Sequence, residues 1–257
     1  MRMRHWPIYG RKDSEVHYML ANFPDAHRWS GTLTSDVHLP ATSRYELFDF
    51  IADELPRWRD DPQRPQNTSE TMLTEHLCDY LTSVARKSAG WDILQFRTEV
   101  ADEEKKGRKI DLVPKPCGVI IWIDGRRHTQ YDSLLPIECK RLPTPKDKER
   151  DEREYVFSRY GSTGGIQRFK EGHHGAAHTV GGMIAYVQED TTTLWDRRIA
   201  EWINGLADSG QSGWSASDLL QLEHDFDAAG LTIFRSSHTR ERGLAEIELR
   251  HLWLNMN

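Results

Sequence analysis

Apolar positions change their period along this chain, and each change marks an element. Leu47, Phe48, Ile51 and Leu55 recur at helical spacing, so a helix is expected over about residues 45–55, capped by Thr42 or Ser43 and ended by Pro56. Residues 60–67 (DDPQRPQN) read as a linker, because proline and Asx residues favour turns. Leu73, Leu77, Tyr80, Leu81 and Val84 form one stripe, which predicts a second helix, capped among Asn67, Thr68 and Ser69 and running to about Arg86, with Gly90 closing it. The period then shortens. Residues 91–100 (WDILQFRTEV), 109–113 (KIDLV, ending at Pro114), 119–124 (VIIWID) and 134–139 (LLPIEC) read as strands, since β-branched and aromatic side chains suit a pleated surface. A short helix at 165–170, a buried strand at 182–188 (GMIAYVQ) and an amphipathic helix at 193–206 follow. The tail predicts a helix at 217–228 and strands at 231–236 and 246–254, whereas residues 1–41 show no period.

Strands alternating with helices predict an α/β fold, a mixed central sheet flanked by helices. The linker divides it into an N-terminal extension, 1–66, with one helix, and a main domain, 67–257, ending in the C-terminal helix and strands. Charged residues at 29% and hydrophobic ones at 37% suit a soluble chain with a modest core, and no run approaches the roughly 20 apolar residues of a membrane helix. The basic start, MRMRHWP, has no apolar run behind it, so no signal peptide is expected. Cys78, Cys117 and Cys139 form no CxxC pair, which argues against a disulfide framework or a cysteine zinc site and points to a reducing, cytoplasmic setting. The net charge of −6 speaks against phosphate binding, yet from 140 to 170 nine Lys or Arg stand against five acids. That stretch reads either as a solvated loop or as a phosphate-facing surface.

Chemistry concentrates in Ile110-Asp111-Leu112 and Ile137-Glu138-Cys139-Lys140. Side chains alternate along a strand, so Glu138 and Lys140 share one face while Ile137 and Cys139 enter the opposite layer. Charged groups set among apolar ones are costly to bury unless they are used. Asp111 has the same setting. Two carboxylates on neighbouring strands offer hard oxygens to Mg²⁺, with the Cys139 carbonyl as a further donor. Such an ion activates water and polarises phosphate, and a lysine beside it positions or deprotonates that water.

These residues resemble the PD-(D/E)xK, or restriction-endonuclease-like, nuclease superfamily, whose signature is a strand-end Asp followed by Glu-x-Lys on the next strand. Asp111, Glu138 and Lys140 match in type and order, and residues 67–188 give the expected αβββαβ order, about half the chain. Ile110 stands where the family name has Pro, and the 27-residue gap from Asp111 to Glu138 leaves Asp124 as a competitor, with Gly125 behind it favouring a turn. The resemblance implies a metal-dependent nuclease using Mg²⁺, with Mn²⁺ as substitute, acting on DNA ahead of RNA. It implies Asp111, Glu138, the Cys139 carbonyl and a first-helix acid as metal ligands. Glu70 lies on the buried stripe and Glu75 on the solvent side, so Glu70 is that acid, or else a first-turn acid favoured by the helix dipole. Gln167, Arg168 and Lys170, on the helix after Glu-x-Lys, are the substrate-binding candidates, against a solvated helix face. By analogy the chain is expected to be an anti-phage defence or restriction effector, with a partner ATPase or sensor, no membrane partner and room for a homo-oligomer. A non-cleaving nucleic-acid-binding or assembly subunit is the alternative.

Other residues carry weaker signals. His173, His174 and His178 lack zinc spacing and read as a polar loop. Trp58, between Arg57 and Arg59, suits base stacking. His238, Arg240, Arg242 and His251 read as surface positions or a phosphate-facing patch, and Glu99 as an exposed strand acid or a support for Asp111.

Overall fold

A computed structural model describes residues 42–66, 69–102, 107–123, 125–148, 150–161, 163–241 and 243–257; the side chains of Thr42 and Ser43, and Asp124 and Arg242, lie outside that description. The chain runs α1 (Thr42–Arg59), α2 (Glu70–Ala85), β1 (Leu94–Ala101), β2 (Lys109–Pro116), β3 (Ile121–Ile123), β4 (Arg126–His128), β5 (Ile137–Leu142), α3 (Gly165–Lys170), β6 (Val180–Val187), α4 (Thr192–Asp208), β7 (Gln221–Phe226), β8 (Leu231–His238) and β9 (Ile247–Asn255). Seven strands form one mixed sheet in the order β1-β2-β5-β6-β9-β8-β7. β5, β6 and β9 run parallel and the other neighbours antiparallel. The fold is therefore α/β with a mixed sheet, as the alternation predicts.

Each face of the sheet has its own core. Ile184 and Tyr186 of β6 and Leu252 and Leu254 of β9 pack with Phe48, Ile51 and Trp58 of α1 and Leu73 and Leu77 of α2. Met183, Ala185 and Trp253 face the other way, toward Phe169 of α3 and Trp195, Ile199 and Ile203 of α4. Two glycines in β6 permit this double packing: a Cβ at Gly181 would stand 2.8 Å from the Phe169 ring, and one at Gly182 2.8 Å from the Phe48 ring. α1, read as part of an extension, thus shares the core of α2 and the sheet.

Several elements differ from the sequence reading. α1 continues through Pro56 to Arg59. Proline removes one helical hydrogen bond, but Leu55 and Trp58 are both buried and hold the last turn in place. β2 likewise runs past Pro114 to Pro116. The Pro114 carbonyl accepts from Leu134 N–H, on the side away from β1, so its missing N–H is not one the β1 ladder uses. Residues 119–123 do not join the main sheet; β3 pairs with β4 in a separate hairpin inserted between β2 and β5. The helix expected at 217–228 is a 3₁₀ turn, Ala216–Asp218, and then β7. Asp218 is tied to Lys170 and His238, which stops the helix after one turn, and β8 takes the following residues as its ladder partner.

Candidate active site

β2 and β5 pair only at Leu112↔Ile137 and then diverge. That register sets Asp111 across from Glu138, and the β1–β2 register sets Glu99 across from Asp111 on its other side. Divergence strips β5 of ladder partners toward β2, and its N–H groups there need acceptors. Two carboxylates supply them. The Cys139 N–H donates to Asp111 Oδ2 at 2.9 Å, and the Arg141 N–H donates to Glu70 Oε2 at 3.0 Å. Glu70, first residue of α2, is thereby brought to the same end of β5 as Asp111.

Glu138 and Lys140 point away from the α1/α2 core, which receives Ile137 and Cys139. Glu138 is fully buried, and three donors surround it. Lys140 Nζ and Arg168 Nη1 reach Oε1 at 2.6 and 2.5 Å, and His174 Nδ1 stands 3.0 Å from Oε2. Lys140 Nζ also lies 3.7 Å from Glu70 Oε1. Burial pushes the Glu138 carboxyl up, but Lys140, His174 and Arg168 outweigh it and hold the acid well below the usual range. Burial works against the Lys140 ammonium too, yet Glu138, Glu70 and Asp111 raise it above an ordinary lysine, so it stays protonated. Burial, then the Glu138 charge, pushes the Asp111 carboxyl up to about 7; Lys140 and the Cys139 N–H pull it down but do not prevail. It opens onto a small cleft lined also by Glu70, Glu75, Thr98 and Glu99. Glu99 is exposed and pairs with Lys109 at 2.5 Å.

Arg168 alone of the three α3 candidates reaches this cluster. Gln167 is enclosed: its Oε1 accepts from Ser158 N–H and Gly164 N–H, and its Nε2 donates to Glu171. Lys170 is paired with Asp218 in the core. The remaining readings need correction. Of the three loop histidines, His174 and His178 are buried, with His174 edge-on to the Phe169 ring. Trp58 is 1% exposed, with its ring 5.8 Å from Tyr186, so it is a core residue and offers no face to a base. His238 and His251 are buried as well, on β8 and β9, and so is Arg240 in the loop between these strands, where it donates to the Gly175 and His178 carbonyls. His174 is what sequence reasoning missed; its one legible signal is its place shortly after the Glu-x-Lys helix. Asp124, the competitor for Asp111, lies outside the described residues.

Compared with protein-family models, with curated proteins and with solved structures, the chain matches none. Among the described residues no helix is long and apolar enough to cross a membrane.

Proposed function

We propose that this chain is a metal-dependent nuclease of the PD-(D/E)xK type, hydrolysing phosphodiester bonds in DNA ahead of RNA. The observation that carries the reading is the meeting of Asp111, Glu138 and Lys140 where β2 and β5 part. The order α2, β1, β2, β5, α3, β6, with one hairpin inserted, supports a restriction-endonuclease-like core. A role in anti-phage defence or restriction, with a partner that triggers cleavage, belongs to the same proposal.

The donor set suits a hard divalent ion. Among the described residues no group of three or more His, Cys, Asp or Glu side chains is placed to hold a metal ion. Mg²⁺ needs no such group, since it keeps several waters and takes one or two carboxylates. Asp111 and Glu138 would hold it, with the Cys139 carbonyl as a further donor and Glu70 beside them. Burial and the Glu138 charge raise the Asp111 carboxyl, and a bound cation would favour its ionised form. When bound, the ion activates water and polarises the phosphate.

The chain's own groups have separable tasks. Lys140, held protonated by three acids, would orient water and stabilise charge on the phosphate. Arg168 and His174 fix the Glu138 carboxylate. The complete enclosure of Glu138 favours a second reading, in which the cluster is structural and the chain a non-cleaving nucleic-acid-binding or assembly subunit.

Incubation with supercoiled plasmid, linear duplex, single-stranded DNA and RNA, in Mg²⁺, Mn²⁺ or EDTA, separates the two. Metal-dependent cleavage lost in Glu138→Gln and Lys140→Ala is the expected result. Absence of cleavage with every substrate and metal, including in the presence of products of neighbouring genes, would rule out the nuclease.

A further inference from the structure

A second polar cluster lies in the α3/α4-side core, and none of its groups takes part in the contacts around Asp111 and Glu138. Trp253 Nε1 lies 2.8 Å from the Tyr155 hydroxyl, which lies 2.7 Å from His251 Nδ1. His251 Nε2 lies 2.7 Å from Ser236 Oγ, and Ser236 Oγ 2.6 Å from His238 Nε2. His238 Nδ1 lies 2.6 Å from Asp218 Oδ1, which also pairs with Lys170. Asp218 Oδ2 accepts from Ser215 N–H at 2.8 Å. Tyr155, Ser236, His238, His251 and Asp218 are all buried.

Both ends of this chain dictate one direction. An indole N–H only donates, so the Tyr155 oxygen accepts and its O–H turns to His251 Nδ1. A carboxylate only accepts, so His238 Nδ1 carries hydrogen and its neutral Nε2 accepts from Ser236. Ser236 must then accept from His251 Nε2–H. Every group is satisfied once. A charged His238 would reverse the middle links and leave the Tyr155 O–H without an acceptor in the chain. The charged neighbours of His238 are Asp218, Lys170 and Glu246, and Lys170 in turn faces Glu241 and the Trp214 ring. Burial lowers both histidines from their ordinary value, in keeping with neutral rings.

Asp218, His238 and Ser236 have the connectivity of an acyl-transfer triad. Ser236, however, is buried and has a second histidine on its free side, so it is not placed as a nucleophile. The chain ends instead on α3. We propose that it is a one-way hydrogen-bond relay that clamps α3 to the sheet, with Tyr155, His251, Ser236, His238 and Asp218 as positioning residues for Lys170 and, through the helix, for Arg168 at Glu138. The proposal stands whether or not the chain cleaves nucleic acid.

Long-range ¹⁵N–¹H spectra of the full chain at neutral pH test the direction. Neutral rings are expected, with hydrogen on Nδ1 of His238 and Nε2 of His251; the opposite tautomer or a charged ring at His238 would overturn the relay. Hydrogen exchange tests the clamp. In Asp218→Asn the α3 amides should exchange about tenfold faster, with α2 unchanged, and Ser236→Ala should give a smaller rise in the same place. Unchanged α3 exchange, or an equal rise throughout the chain, would overturn it. Should Asp218→Asn not fold, the tautomers of the unaltered protein and the Ser236→Ala exchange still decide.

Discussion

The backbone N–H of Cys139 donates to the Asp111 carboxylate across the gap where two strands separate. One carboxylate thus does two things: it satisfies a main-chain donor that lost its ladder, and it places negative charge opposite Glu138. These demands oppose each other, because burial and Glu138 both disfavour the ionised form.

Asp111→Asn should therefore stabilise the metal-free protein. The carboxyl titrates at about 7 in the fold against 3.8 in the open chain, so stability is lost as pH rises through that window. At pH 8 in EDTA the variant, which keeps an acceptor for the Cys139 N–H, should gain about 2 kcal/mol, after discounting for partial exposure. The gain should vanish at pH 4. Urea titrations at both pH values check this, and equal stability of the two proteins at pH 8 would contradict it. The same substitution should abolish Mg²⁺ binding by calorimetry.

Glu138 and Lys140 form a buried pair whose partners are unequal in number. Removing Lys140 leaves Glu138 with Arg168 and His174, whereas removing Glu138 leaves three donors facing one another. Glu138→Ala should thus cost more than Lys140→Ala, in a range of about 3–5 kcal/mol for breaking a buried pair. The double substitution to methionine should be more stable than Glu138→Met alone. Chemical denaturation of the set measures this, and an additive double mutant would show that the two side chains do not interact.

Acid should weaken the fold by forcing buried neutral histidines to charge. Burial, with Arg44 and Arg126 nearby, pushes His178 down to about 3, and burial also depresses His238 and His251. Each neutral histidine loses its contribution as pH falls below about 6.5, at a cost of about 1.4 kcal/mol for His178 by pH 5.5. In Asp111→Asn, which removes the opposing titration of that carboxyl, stability should fall between pH 7.5 and 5.5, and a flat profile in this variant would show that these rings are already charged.

Trp58 should behave as a core residue. Its replacement by alanine should cost about 3–5 kcal/mol. Emission from a protein keeping Trp58 as its only tryptophan should be blue-shifted and unmoved by added oligonucleotide. Quenching on addition of DNA would restore the stacking role.

Some of this molecule was legible in one dimension. Helical spacing in 73–84 and the alternation in Ile137-Glu138-Cys139-Lys140 are local properties, set by backbone geometry, so α2 and the two faces of β5 could be read directly. The acid, acid, lysine set was legible for a related reason: charges among apolar residues are rare enough to stand out. Whatever depended on distant partners was not legible. Residues 217–228 carry a helical spacing of leucines, yet β8 offered an unpaired edge and Asp218 was already tied to His238 and Lys170. His174, His238 and His251 look like surface residues until Glu138, Asp218 and Tyr155 from other elements meet them. Prolines at 56 and 114 announced stops that burial and an unused ladder position overrode. By itself the sequence determined periodicity, facing and the presence of the charged set. Tertiary structure alone decided which donor met which acceptor, because a buried polar group takes whichever partner the completed fold brings within reach.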